Sequence, residues 1–233
     1  MNSSARGVRA RARIEVTAAI KEEARRQLAA EGAAKLSLRA VARELGMVSS
    51  ALYRYFPSRD DLLTALIIDA YDSLGESAET AHAAVMDDGP VRRWVVVCEG
   101  VRAWALAHPH EYALIYGSPV PGYSAPRTTV PHAARVGTLL LGIARDARGG
   151  RTRPVEPELP ADLRAEAARM ASDLAPDLPP EVVVALVAAW AQLYGLVGFE
   201  LFGQFHRVAE DREPFFRHAV TRLAHGVGLA ENG

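Results

Sequence analysis

A single cysteine, Cys98, stands among 233 residues. No internal disulfide can form and no cysteine-based structural zinc site can assemble, which points to a reducing compartment. The chain also lacks a G-x-S-x-G elbow, a Walker loop, a G-x-G-x-x-G turn and an H-E-x-x-H pair. With them go the commonest signatures of hydrolases, nucleotide-dependent enzymes and zinc proteases. His108-Pro109-His110 is split by its proline and has no third His or Cys at ligand spacing, so a helix-end histidine favoured by the dipole is the better account of His108. Cys98 has no histidine beside it and reads as a buried, inert thiol. No metal and no cofactor is expected. No segment alternates with period two, and no internal repeat is present.

Net charge is scarce as well: 27 Lys+Arg stand against 28 Asp+Glu, a sum of −1. Taken alone, that sum speaks against a polyanionic partner. Its distribution does not. Residues 1–60 hold 12 basic and 6 acidic side chains (+6), and the remainder holds 15 basic and 22 acidic (−7). A basic front on an acidic body is the footprint of a protein that meets a polyanion at one end. Arg6, Arg9, Arg11 and Arg13 are not followed by an apolar run or a small-residue cleavage site, so they read as a flexible basic arm rather than a signal peptide. The 49% apolar and 24% charged composition is that of a globular chain with a substantial core.

What is present is helical. Val16, Ile20, Ala24 and Leu28 make one stripe on a helix over 14–31, which Gly32 stops. Ser37 caps a short helix whose Leu38, Val41, Ala42 and Leu45 face inward, and Gly46 ends it. A third helix over 49–55 turns Leu52 and Phe56 inward. Pro57 breaks the chain, and Ser58 with Asp61 forms a capping box opening a helix to about residue 87. Helical patterns follow at 91–108, 110–117, 132–148, 161–174, 180–205 and 212–228. The segment 149–160, with three prolines and two glycines, reads as a mobile linker. The expected architecture is all-α, with a three-helix head over 1–60 and a larger helical domain over 61–233.

Residues 182–199 carry one polar side chain, Gln192, and are long enough to cross a bilayer. Acids flank the run directly (Glu181 and Glu200), it is rich in Ala and Gly, and no Lys/Arg cluster marks a cytoplasmic side. A helix covered on several sides, or shared between subunits, has the same composition. No membrane is expected.

Leu36 to Leu63 has helix-turn-helix logic: two short helices, a small residue (Ala42) at their approach, and Gly46 where the backbone reverses. The second helix then exposes Ser49, Ser50, Ala51 and Arg54, with Tyr53 and Tyr55 beside them. A major groove admits one helix, short polar side chains near its start reach base edges, and tyrosine hydroxyls grip phosphate. These residues resemble the DNA-binding signature of the TetR family of transcriptional repressors. The matching positions are Ser37, Val41-Ala42, Gly46-Met47, Ser49-Ser50-Ala51, Leu52-Tyr53, Tyr55-Phe56 and Arg59-Asp60-Asp61-Leu62, with Ile20, Ala24, Leu28 and Gly32 ahead of them. Val48 stands where the family often has a capping Ser or Thr, so capping is expected to move to Ser49.

The resemblance implies base or phosphate contact by Arg39, base reading by Ser49, Ser50 and Ala51 (the last through its methyl alone), and backbone contact by Tyr53 and Tyr55. It also implies a phosphate contact by Arg59. Arg102 to Tyr123, with Trp190 and Tyr194-Gly195, resembles a ligand-binding subgroup of the family with recurring Trp, His and Gly, and Tyr194 stands in place of the His. Family repressors dimerise through their last two helices and bind palindromic double-stranded DNA. Ala188, Ala191, Gly195 and Gly198 permit such close approach, and Trp190 and Phe205 supply apolar area. The implied effector is small and hydrophobic, with Tyr71, Trp94, Trp104, Tyr112, Tyr116, Met170 and Phe199 as candidate lining. The implied location is the cytoplasm. A helical enzyme or carrier using the same pocket is the alternative, although no facing pair of polar catalytic groups supports it.

Overall fold

The computed structural model describes residues 2–150, 152–155 and 158–231, and of residues 2–6 and 9 the backbone alone. The side chains of Arg6 and Arg9 thus lie outside the described residues. Eleven α-helices are described: α1 (Asn2–Glu31), α2 (Leu38–Glu44), α3 (Ser49–Leu52), α4 (Arg59–Ala83), α5 (Pro90–Ala107), α6 (Pro109–Tyr116), α7 (Val130–Ala133), α8 (Arg135–Ala147), α9 (Arg164–Leu174), α10 (Pro180–Leu201) and α11 (Arg212–Gly226). Among the described residues, the one departure from helix and loop is an isolated bridge between Thr152 and Leu229.

The chain packs as two units, and their boundary does not fall at residue 60. The first comprises residues 1–71 and 108–131, and the second 72–107 and 132–233. Helix α4 contributes to both. Helix α6 and the proline-rich loop after it pack with the head because Leu114, Val120 and Tyr123 lie against the head core. A linear cut in the sequence cannot anticipate that return.

In the first unit, Ile20, Ala24 and Leu28 of α1 meet Leu38, Val41 and Ala42 of α2, Leu52 and Phe56 after it, and Leu62, Leu63 and Leu66 of α4. Gly32 closes α1 at φ 79°, its amide donating to the Leu28 carbonyl at 3.0 Å. Gly46 does the same for α2 at φ 64°, followed by a 2.8 Å bond from the Met47 amide to the Ala42 carbonyl. Only a residue without Cβ takes these left-handed angles at low cost. Ser37 caps α2 by accepting from the Ala40 amide, and Ser58 accepts from Asp61 N at 3.1 Å while its hydroxyl donates to the Asp61 carboxylate at 2.6 Å.

Three local expectations need correction. The segment expected as a flexible arm is helical from Asn2 onward, because Ala- and Arg-rich sequence without proline prolongs α1. Helix α3 ends at Leu52, and residues 53–55 tighten into i→i+3 bonds such as Tyr55 N to Leu52 O at 2.8 Å. Capping does not pass to Ser49: Val48 is the N-cap, without a side-chain bond, and Ser49 is already the first helical residue.

In the second unit, α10 packs against α5, α8, α9 and α11. Val183, Leu186, Ala189, Leu193 and Val197 form its buried stripe, while Ala188, Trp190, Ala191, Gly195 and Phe199 lie on its exposed side. By length and composition it could cross a membrane, and 39% of that apolar window is buried within the protein. Beneath it the Arg102 guanidinium donates twice to Glu200, both at 2.7 Å, and sits over the Phe216 ring. The expected mobile linker is tied down where it is described: Arg153 N donates to Gly228 O at 2.9 Å.

Candidate nucleic-acid interface

The helix-turn-helix presents a polar edge on an apolar frame. Leu52, wholly buried, and Phe56 anchor α3 and the turn after it. With that face fixed inward, helical geometry sends Ser49, Ser50 and Arg54 into solvent, and all three are exposed. Val48, used as cap by its backbone alone, leaves the Ser49 hydroxyl uncommitted to capping. Tyr53 is 42% exposed. Ala51 and Tyr55 are half-buried, and the Arg13 guanidinium lies 5.4 Å from the centre of the Tyr55 ring. Arg39 is exposed in the first turn of α2, beside the Ser37 cap. Arg39, Ser49, Ser50, Tyr53 and Arg54 are thus exposed on one helix-turn-helix: two short hydroxyls, one phenol and two guanidinium groups.

Sequence reasoning treated Val48 only as a lost cap. It is 70% exposed at the mouth of α3, where an apolar side chain can meet a thymine methyl. Its position two residues past the turn glycine was the available signal. Lys35, exposed in the turn before α2, is a further cation of this surface.

Arg59 differs from its neighbours. Its Nη2 donates to Ala33 O at 2.8 Å and to Ala34 O at 3.3 Å, and its Nε donates to Leu36 O at 3.2 Å. The residue expected to meet phosphate therefore spends its guanidinium on the protein backbone.

The residues expected to line an effector site fall in different places. Tyr71, Tyr112 and Tyr116 gather in the first unit, with ring centroids 6.0 Å apart for Tyr71–Tyr116 and 5.3 Å for Tyr112–Tyr116. Burial, followed by the nearby Tyr123, pushes the Tyr71 phenol above its ordinary pKa. Trp94 and Trp104 lie in the core of the second unit. The Trp104 indole donates to Ser73 Oγ at 2.9 Å, whereas the buried Trp94 Nε1 has no hydrogen-bond partner among the described residues. Met170 is half-buried on α9. Phe199 is 54% exposed and is no interior residue, because it lies on the outward side of α10. Cys98 is wholly buried and burial pushes its thiol far up, as suits an inert side chain.

Phe199 belongs instead to a groove of about 920 Å3 between α10, α11 and the segment around Leu159. Ala188, Gly195 and Phe205 also line it, with Phe215 and Leu223 opposite. Trp190 (39% exposed) and Ala191 flank this face, and Gly198 is half-buried. A Cβ on Gly195 would meet nothing within 4 Å, so that position is open on the surface of one chain.

Known proteins resemble the chain over most of its length. The family model described as "Bacterial regulatory proteins, tetR family" matches residues 20–66, and the one described as "Tetracyclin repressor-like, C-terminal domain" matches 94–223. The HTH-type transcriptional regulator Rv1816 of Mycobacterium tuberculosis is 39% identical over 201 residues, 85% of this chain and 86% of that protein. The HTH-type transcriptional regulator Mb1846 of Mycobacterium bovis is similar to the same extent, 39% identical over 85% of this chain and 86% of that protein. Among solved structures, SCO4313, described as a regulatory protein, superposes with a TM-score of 0.74 at 33% identity, covering 91% of this chain and 97% of that one. RolR, solved with resorcinol, shares the fold at a TM-score of 0.53 and 16% identity, over 92% of this chain and 89% of that one.

Proposed function

Because the chain belongs to the TetR family of transcriptional regulators, we propose that it is a dimeric repressor that a small hydrophobic effector releases from a palindromic operator. Regulation of transcription through DNA, rather than enzymatic turnover, is the activity of this family and of its named relatives. The observation that carries the finer reading is the outer edge of the helix-turn-helix: Ser49, Ser50, Tyr53 and Arg54 exposed above a wholly buried Leu52.

In this reading Ser49, Ser50 and Arg54 meet base edges, with Ala51 and Val48 offering apolar contact. Arg39, Tyr53 and Tyr55 hold the sugar-phosphate backbone. Two such heads fit half-sites about 34–36 Å apart, one turn of duplex. The exposed side of α10, with Ala188, Trp190, Ala191, Gly195 and Gly198, and Phe205 just past its end, pairs with its symmetry mate, which removes Phe199 and its neighbours from water. Membrane insertion of α10 is not needed to explain its composition. An effector acts by favouring one of two dimer geometries, and bound operator lowers effector affinity by the same factor by which the effector weakens operator binding. The tyrosine cluster of the first unit, Tyr71, Tyr112 and Tyr116, supplies the effector's apolar surroundings. A protein with this task works in the cytoplasm, where the chromosome is.

Selection of bound duplexes from a random pool tests the reading directly. It should return an inverted repeat, bound by a dimer, with an affinity that falls steeply as salt rises because counterions are released. A flat salt response, or no preference over random duplex, would falsify it.

A further inference from the structure

We infer that Arg59 is a positioning residue for operator recognition: it clamps the loop between α1 and α2 onto the first turn of α4 and so sets where α2 begins. The inference rests on the DNA-binding reading above but assigns Arg59 a different role from phosphate contact.

The geometry is specific. The loop is a single 3-10 turn, Ala33–Lys35, ending at Leu36. Within it Leu36 N donates to Ala33 O at 3.3 Å, and the second lone pair of that oxygen and the carbonyls after it call for donors from elsewhere. Arg59 supplies them with two different nitrogens: Nη2 reaches Ala33 O at 2.8 Å and Ala34 O at 3.3 Å, and Nε reaches Leu36 O at 3.2 Å. The one terminal nitrogen facing away from the loop, Nη1, lies 3.6 Å from the Asp60 carboxylate. Every nitrogen of the guanidinium therefore faces an oxygen of this chain. One residue past Leu36, Ser37 caps α2, and α2 carries Arg39 and packs against α3. The clamp thus holds the point from which the reading edge is oriented.

A planar fork is required for this, because its donors leave from nitrogens spread along the group. A lysine ammonium carries its donors on one atom and cannot reach both Ala33 O and Leu36 O in the same way. It does keep the charge that a phosphate contact needs. The two roles therefore predict opposite behaviour for Arg59→Lys.

The test compares wild type, R59K and R59Q, titrated with the selected operator and with random duplex across a salt series. Positioning predicts that R59K and R59Q both lose about tenfold in operator affinity, as expected when charge-assisted bonds that order a recognition element are removed. Affinity for random duplex and the salt slope should stay unchanged. Simple destabilisation would weaken both duplexes together, so the ratio separates orientation from folding. Wild-type behaviour of R59K, with the R59Q slope smaller by about 0.9 for each lost phosphate contact, would overturn the inference. Hydrogen exchange of free R59K decides the clamp without DNA: amides over 33–41 should exchange faster than in wild type, and unchanged exchange overturns it. If wild type itself prefers no duplex, the operator reading fails, whereas the exchange arm still reports on the clamp.

Discussion

Arginine is used in opposite ways in the second unit and along the reading edge of the first. In the second unit guanidinium groups join helices: Arg93 to Asp146 at 2.7 Å, Arg102 to Glu200 at 2.7 Å, Arg135 to Glu79 at 2.6 Å and Arg217 to Glu99 at 2.6 Å. In the first unit the cations remote from the reading edge behave likewise, with Lys21 and Arg25 both on Asp69 at 2.7 and 2.8 Å. Along the edge itself, Arg39 and Arg54 point outward, exposed. A formal charge near zero is thus a poor guide to partners. What matters is which cations already have a carboxylate, because a paired cation has little field left for a phosphate.

The widest separation between the units should appear when exposed head cations are removed. Arg39→Ala combined with Tyr53→Ala should weaken operator binding by about two orders of magnitude, since each hydrogen bond to a charged phosphate carries roughly 1.5–3 kcal/mol. Thermal stability should change by less than ~0.5 kcal/mol, because both side chains are exposed. A fluorescence anisotropy titration beside a melting curve checks both halves. Retained operator affinity would remove Arg39 and Tyr53 from the interface.

Next in size is a change confined to the α10 face. Gly195→Leu places bulk where one subunit has room, since a Cβ there meets nothing within 4 Å. The subunit should fold normally, yet close approach of two α10 helices is blocked, and dimer dissociation should rise about a hundredfold by overpacking. Analytical ultracentrifugation measures this. A dimer of unchanged strength would place the interface elsewhere.

Much of this comparison was legible beforehand, for identifiable reasons. Helix boundaries followed from Gly32, Gly46, Ser37 and Ser58, because positive φ and capping are local chemistry. The orientation of α3 followed from Leu52, whose burial dictates what its neighbours expose. Three features were not legible. The return of α6 to the first unit depends on nonlocal packing of Leu114 and Tyr123. The bonds from Arg59 to Ala33, Ala34 and Leu36 join residues more than twenty positions apart, which no spacing rule encodes. Phe199 looked like pocket lining because an apolar run around the whole of α10 conceals which side faces outward.

Breaking a body pair should do the reverse of changing Arg39. Glu200 is 8% exposed and Arg102 packs over Phe216 beside it. Glu200→Gln leaves a mostly buried guanidinium without its countercharge, at a cost of about 3 kcal/mol. Urea denaturation should show that loss, and replacing Arg102 and Glu200 together by Met should recover most of it. Operator affinity of the folded fraction should stay near wild type. A cost as small for Glu200→Gln as for Arg39→Ala would erase the contrast between the units.

The smallest effect lies in acid. Glu79 accepts hydrogen bonds from Arg135 at 2.9 and 2.6 Å, and those bonds hold its carboxyl below the ordinary glutamate value. Asp72 is also held low: burial opposes this, but bonds from His132 and Arg135 outweigh it. For a carboxyl depressed in the folded state, the stabilisation is present above the unfolded pKa and is lost as pH falls through the folded one. The window therefore opens near pH ~4.5 and extends downward. The Glu79 side chain is 46% exposed, so solvent screening limits its share to under ~1 kcal/mol. Glu79→Gln should melt lower than wild type at pH 7 by that margin and converge with it as pH falls through the folded value, below which both lack the charge. A gap that stays constant from neutral pH into acid would show that the Arg135 contact acts through shape rather than charge.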